Sequence, residues 1–346
     1  MSSQIADSFP NSRGLSKTPH LEFGDHIITK SLSIEHPGDY FDENFDFSET
    51  KFNDKVTIEI KHYKAREELV FDIKGVDASF VNALRRIMIS NVPTVAPEKI
   101  HLFQNTSVIQ DDVLAHRIGL IPLSCNPDML QFPPDALEDD VSLTEFNSIQ
   151  FELNVKCFRD SEGKVINGKV LSNQMKWIPI GNQQTSFSEP VKPIFEDILI
   201  AKLVPGQEIA MKIICVKGLG FDHAKFSPVS TAYYRLMPFV KLKQAVFDNE
   251  AHQLADLFAE GVIGIDRDKE GKEFAYVKDE RLDNGSRNYM MAENLRDKVQ
   301  SGRISDHFIF CIESVGSLDP VLILEKSLEI LSDKCTRWIE KISNNN

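Results

Sequence analysis

The sequence predicts an α+β protein in which a β-rich insert interrupts a mixed α/β domain, behind an acidic N-terminal tail. Three observations predict it. Asp77 to Leu123 packs a short amphipathic helix, a proline stop, a strand and a second short helix into one block. From about Asn105 to Thr231 the texture changes to short strands separated by turn-rich loops. After that stretch it returns to mixed α/β and ends in a long apolar seam. The expected division is a tail over 1–52, outer segments over 53–104 and 232–346, and an insert over 105–231.

Residues 1–52 have turn formers, weak periodicity and the acidic-aromatic run GDYFDENFDFSET. Such composition fits a solvated, flexible tail; the sharper alternative is docking on a partner through Tyr40, Phe41, Phe45 and Phe47. Val56, Ile58 and Ile60 alternate, as do Leu69, Phe71 and Ile73, which predicts two half-buried strands. In the first helix Asp77 or Ser79 is the expected cap. Phe80, Leu84, Ile87 and Met88 then form one apolar stripe, with Asn82, Arg85 and Arg86 off it. Pro93 disfavours helical geometry at Val92 and stops the helix. Lys99 to Phe103 reads as a third strand. The second helix, about Gln110 to Ile118, is expected to bury Val113, Leu114 and Ile118 and to end on a left-handed Gly119.

In the insert, FELNVKCF, KVLSNQMKWIPI and EIAMKIICV read as strands between loops such as QFPPDALEDD and RDSEGKVING. Arg303 to Val315 reads as a strand of the outer part. At the C-terminus Asp319 is placed to cap a helix and Pro320 to open it. Val321, Leu324, Leu328, Leu331, Cys335 and Trp338 follow at spacings of 3, 4, 3, 4 and 3. That is a heptad-like seam, which demands a packing partner without saying whether it is internal or another chain.

Composition narrows the function. At 346 residues, 42% of them hydrophobic, the chain can hold about two domains with real cores. No apolar run approaches the ~20 residues of a membrane helix, and MSSQIADSFPNSRG has no secretory pattern. Five widely spaced cysteines fit a reducing compartment without a disulfide framework. With 52 acidic and 39 basic residues the net charge is −13. Strong direct binding to DNA is not expected, because it rests on Lys and Arg neutralising phosphates.

Catalytic and metal chemistry finds little support. There is no C-x-x-C, H-x-x-x-H or H-E-x-x-H pair, so neither a metal site nor any other cofactor is expected. Lys217-Gly218-Leu219-Gly220 matches no phosphate-binding pattern and reads as a tight turn. His223, Lys225, Phe226 and Ser227 read as a structured contact loop; Ser227 precedes Pro228 without a nucleophile-elbow pattern. Packing and hydrogen bonding are the default for His116 and Arg117. The remaining enzymatic alternative is a hydrolase whose site is assembled from dispersed residues.

The block itself, NALRRI, PTVA and DDVLAHRIGLIPL, resembles the alpha motif of DNA-dependent RNA polymerase alpha-like subunits. DHAKFSPVSTAYYRLMP, GVIGID and AYVKD resemble the same family. The likeness runs from about Val56 to the C-terminus and is strongest to the larger alpha-like subunit shared by eukaryotic polymerases I and III. It implies that the outer segments form a dimerisation domain interrupted by the insert domain. It implies a non-catalytic assembly subunit, nuclear and nucleolar, in rRNA, 5S rRNA and tRNA transcription. The implied partners are a smaller alpha-like subunit, the second-largest subunit and small common zinc-bearing subunits. The implied partner interface is Phe80, Leu84, Arg85, Arg86 and Met88 with Leu324, Leu328, Leu331 and Trp338, and the contact loop would add subunit contacts. Some relatives carry a cysteine-rich metal loop in the insert. Here only Cys125, Cys157 and Cys215 fall there, which points away from the polymerase II or archaeal equivalent. The bacterial homologue's DNA-binding C-terminal domain is not implied, since the chain ends soon after the seam.

Overall fold

A computed structural model describes residues 20–24, 28–29, 54–134 and 143–344. The elements that position the functional surfaces are, in order, β1 (His20–Phe23), β2 (Ile28–Thr29), β3 (Thr57–Lys64), β4 (Glu68–Lys74), α1 (Ala78–Ser90), β5 (Thr94–Asn105), α2 (Asp111–Gly119), β6 (Ser148–Lys156), β7 (Lys176–Ile178), β8 (Glu208–Gly218), β9 (Val229–Leu242), α3 (Asp248–Leu257), β10 (Ile263–Arg267), β11 (Glu273–Val277), β12 (Val299–Ser314) and α4 (Pro320–Asn344). The mixture is α+β, as the sequence predicts.

The chain divides into two compact units. Of the described residues, one holds those up to Ile60, Phe71–Val81 and Tyr234–Phe310; the other holds Lys61–Val70, those of 82–233 and those from Cys311 onward. β5 and the part of α1 from Asn82 onward fall in the same unit as the β-rich part. One sheet has the order β2-β1-β12-β4-β3, with β9 also on β12.

In the first unit β1 pairs antiparallel with β12, His20 opposite Ile304 and Glu22 opposite Gly302, and β2 folds back on β1. Part of the expected tail is therefore a strand; the aromatic run Tyr40 to Phe47 lies outside the described residues. A Cβ at Gly302 would collide with the Leu21 carbonyl, so glycine there admits the close approach of β1. Phe71 stacks on Phe310 with ring centres 5.2 Å apart. A separate apolar core joins Ala251 and Leu254 of α3 to Val262, Ile263, Ala275, Tyr289 and Leu295. Asp72 is 2% exposed. It accepts from Arg281 Nη1 at 2.8 and 2.9 Å and lies 3.1 Å from His307 Nε2.

In the second unit β7, β6, β8 and β5 form an antiparallel sheet in that order. Ile149, Phe151, Leu153, Ile209, Met211 and Ile213 point into one core, closed by Leu114 and Ile118 of α2. The alternation that the sequence shows is thus a real inside–outside pattern. The predicted strand KVLSNQMKWIPI is two short strands, Lys169–Leu171 and β7, split by a 3-10 turn over Ser172–Gln174. Two further expectations fail. Ile58 and Ile60 are 52% and 62% exposed rather than half-buried, on a strand that ends its sheet among the described residues. Gly119 is not left-handed: α2 ends through Leu120 in right-handed geometry, whose N–H bonds to the His116 carbonyl.

Candidate docking surface

α1 is capped as the sequence allows. Asp77 Oδ2 accepts from the Ser79 N–H at 2.8 Å, and hydrogen bonds from Ser79 hold the Asp77 carboxyl below its usual range. Val81, Leu84, Ile87 and Met88 are buried within the chain itself. In this conformation Leu84 and Met88 offer no surface to a partner, a correction to the expected interface; their burial fixes the helix instead. Phe80 and Arg85 are half-buried and Arg86 is exposed. Asn82 Oδ1 accepts from Arg85 Nε and Nη2 at 3.2 and 3.0 Å, which orients that guanidinium along the helix.

α4 is fastened at its start. The Val321 N–H donates to Asp319 Oδ1 at 3.0 Å. The other carboxylate oxygen accepts from the Tyr63 hydroxyl at 2.9 Å and the Arg66 N–H at 3.1 Å. Arg66 adopts a left-handed φ of 60°, and the Asp319 bond pushes the Tyr63 hydroxyl above its ordinary pKa. Pro320, Ile323 and Ser327 are buried, with the Ser327 hydroxyl donating to the Leu324 carbonyl at 2.7 Å. Lys334 Nζ donates to Asn91 Oδ1 at 2.8 Å. The face against the chain is therefore Ile323, Ser327 and Lys334. The predicted seam lies beside it: Leu324 and Leu331 are half-buried, Leu328 and Cys335 are exposed, and Trp338 is 65% exposed. Ile339 and Ile342 extend this apolar stripe; Ile342 is the next step of 4 in the same spacing.

The contact loop is built as a turn. His223 Nδ1 accepts from the Lys225 N–H at 3.1 Å and caps a 3-10 turn over Ala224–Phe226. The Thr94 hydroxyl donates to the Phe226 carbonyl at 2.6 Å, and Phe226 is buried with Ala96, Ile214 and Val216. Lys225 Nζ meets Glu98 at 2.5 Å and donates to the Pro97 carbonyl at 2.7 Å. Ser227 donates to the Val229 carbonyl at 3.0 Å, so it is not poised against His223. Beside this turn a cavity of about 250 Å³ is lined by Pro97, Glu98, Ile100, Ala115, His116, Gly119, Leu120, His223 and Lys225. The His116 and His223 rings lie 6.3 Å apart in edge-to-face geometry. Val113 is half-exposed on the outer side of α2 rather than buried. Arg117 is turned to the Leu199 and Ile200 carbonyls at 2.6 and 3.2 Å.

The three insert cysteines share one apolar core, and burial pushes the Cys125 thiol up to about 12. Among the described residues Glu68, Cys311 and Glu313 bring potential ligand atoms within 4.8 Å of one another. Burial pushes the Cys311 thiol up to about 11, which suits its role as donor to Glu68 at 3.6 Å.

Residues 70–335 match the RNA polymerase Rpb3/Rpb11 dimerisation domain. The RPAC1 subunit of DNA-directed RNA polymerases I and III from Saccharomyces cerevisiae is 45% identical, covering 89% of this chain and 93% of that protein. The human RPAC1 subunit is 39% identical over 93% of each chain. The RNA polymerase II subunit rpb3 of Dictyostelium discoideum is more distant, 32% identical over 81% of this chain and 91% of its own. A matching dimerisation domain over most of the chain, on a fold whose last helix turns an apolar stripe outward, has one conclusion: this chain belongs to the alpha-like subunits of DNA-directed RNA polymerase and is most like the one shared by polymerases I and III.

Proposed function

We propose that the chain is a non-catalytic assembly subunit of nuclear RNA polymerases I and III, working in the nucleus and nucleolus. It pairs with a smaller alpha-like subunit and so forms the platform on which the second-largest subunit and small zinc-bearing subunits dock. Magnesium and nucleotide chemistry belong to the large subunits. The observation that carries this reading is the outward stripe of Leu328, Trp338, Ile339 and Ile342 on a helix of this family. The four side chains are 37%, 65%, 64% and 59% exposed, so covering what remains contributes roughly 3–7 kcal/mol, overlapping the ~4–15 kcal/mol range of the cost of association. Half-exposed Phe80 and Arg85 and exposed Arg86 extend the surface. Guanidinium groups suit such a place because their rigid forks pair carboxylates.

Affinity purification of the tagged chain with mass spectrometry tests the assignment. The largest subunits of both polymerase I and polymerase III are expected in stoichiometric amounts. Recovery of the polymerase II largest subunit instead, or of no polymerase, overturns it.

A further inference from the structure

At the end of β12 a set of metal-ligating groups converges that subunit docking leaves unassigned. Cys311 and Glu313 stand two residues apart on β12, so their side chains share a face. Glu68 opens β4, the neighbour of β12, and His62 lies on β3 beyond it. The Cys311 sulfur and one oxygen each of Glu68 and Glu313 all lie within 4.8 Å of one another. His62 Nε2 is 3.7 Å from the second Glu68 oxygen, on a side chain 57% exposed. Cys311 is only 3% exposed, so packing fixes its sulfur, while Glu68 is half-buried and Glu313 exposed. Groups outside the trio hold two of its members. Tyr233 hydrogen-bonds to the sulfur and favours the thiolate, and the Thr231 hydroxyl donates to Glu313. Both come from β9, which also pairs with β12. Among the described residues neither carboxylate meets a lysine or an arginine. Two carboxylates thus converge on a buried sulfur with no fixed cation between them.

We propose that Glu68, Cys311 and Glu313 bind a divalent transition-metal cation of the zinc type, with His62 as the candidate fourth donor. A tetrahedral zinc lies about 2.3 Å from sulfur and about 2.0–2.2 Å from a carboxylate oxygen, which sets those two donors about 3.6 Å apart. The Cys311 sulfur and Glu68 Oε1 are 3.6 Å apart, a gap that the thiol proton spans in the metal-free chain. Binding exchanges that proton for the cation. The S–H bond breaks, the proton leaves to solvent, and the sulfur and carboxylate oxygens each donate a lone pair, with no change of oxidation state. A thiolate in the set selects zinc over magnesium or calcium. The Tyr233 and Thr231 hydroxyls take the outer positions that orient ligands. No sequence pattern reveals this set, because Glu68 and Cys311 are 243 residues apart and only strand pairing joins them.

The test uses the purified full-length chain, its tag removed, stripped with a chelator and titrated with zinc or cobalt(II). Zinc should bind with release of one proton, read by calorimetry in buffers of different ionisation enthalpy. Cobalt(II) should give the near-ultraviolet sulfur-to-metal band of a bound thiolate, and Cys311→Ser should abolish it. Glu313→Gln alters an exposed side chain, so the melting temperature of the metal-free protein should hold while zinc affinity falls at least tenfold. Thr231→Val, which removes an outer hydroxyl, should weaken zinc less. Absence of the cobalt band in the wild-type chain, or equal zinc affinity in wild type and Glu313→Gln, overturns the site. Either result leaves the polymerase assignment standing, because recovery of the largest subunits decides that separately.

Discussion

Asp72 lies between Arg281 and His307 with almost no access to water. Removing its carboxylate leaves a largely buried guanidinium without its counter-charge, which typically costs about 3–5 kcal/mol. Asp72→Ala should therefore lower the urea midpoint of the purified protein by that equivalent; a loss under 1 kcal/mol would mean that water reaches the site. His307 carries a pH signature. Burial lowers its pKa below the ordinary 6.5, against the opposing pull of Asp72. Below pH 6.5 the unfolded chain binds the proton more readily than the folded one, so stability falls as pH drops through that value. His307→Gln should flatten the slope of melting temperature against pH just below 6.5, and an unchanged slope would assign it to other groups. At this scale the sequence was partly legible. The Asp77 and Asp319 caps follow from residue type and position. The Asp72–Arg281–His307 cluster does not, because Asp72 is over two hundred residues from both partners and no local period connects them.

The helices separate periodicity from destination. In α1 the stripe Phe80, Leu84, Ile87 and Met88 was legible as apolar, yet Leu84 and Met88 turn to the chain's own core. Spacing defines a face and leaves the surface that covers it undefined. In α4 the residues packed inward include Ser327 and Lys334, which an apolar count passes over. Ser327 is tolerated because its hydroxyl is satisfied by Leu324. Leu328→Asp should leave the fold of the chain intact, since Leu328 is already 37% exposed, and abolish pairing with the smaller alpha-like subunit in co-expression and sedimentation. Survival of the heterodimer would place the interface elsewhere. Asp319→Ala should cost about 0.5–2 kcal/mol through loss of the cap, with more from the Tyr63 and Arg66 bonds. Amide exchange in the first turn of α4 should rise accordingly. β1 was missed because four residues, His20–Phe23, are too few to show a period, and their partner is β12, far along the chain.

For the whole molecule, the β-rich texture of the middle third was legible because β6 alternates from Ile149 to Lys156 and β8 from Glu208 to Ile213. Its extent was not, since β5 joins that sheet from before the expected boundary. A charge of −13 predicts that the purified chain fails to retain duplex DNA in a mobility-shift assay near 0.15 M salt; retention there would reveal a basic stripe that net charge conceals. A 25-residue helix reaches about 37 Å, and this one is fastened at one end while its far half displays Trp338, Ile339 and Ile342. A newly made copy that meets no partner therefore shows chaperones and proteases the kind of apolar patch that marks a protein as unfinished. Its lifetime in the cell should then be set by the supply of its partner: depleting the smaller alpha-like subunit should shorten the half-life of this chain in a pulse-chase, and Leu328→Asp should shorten it even when that subunit is abundant.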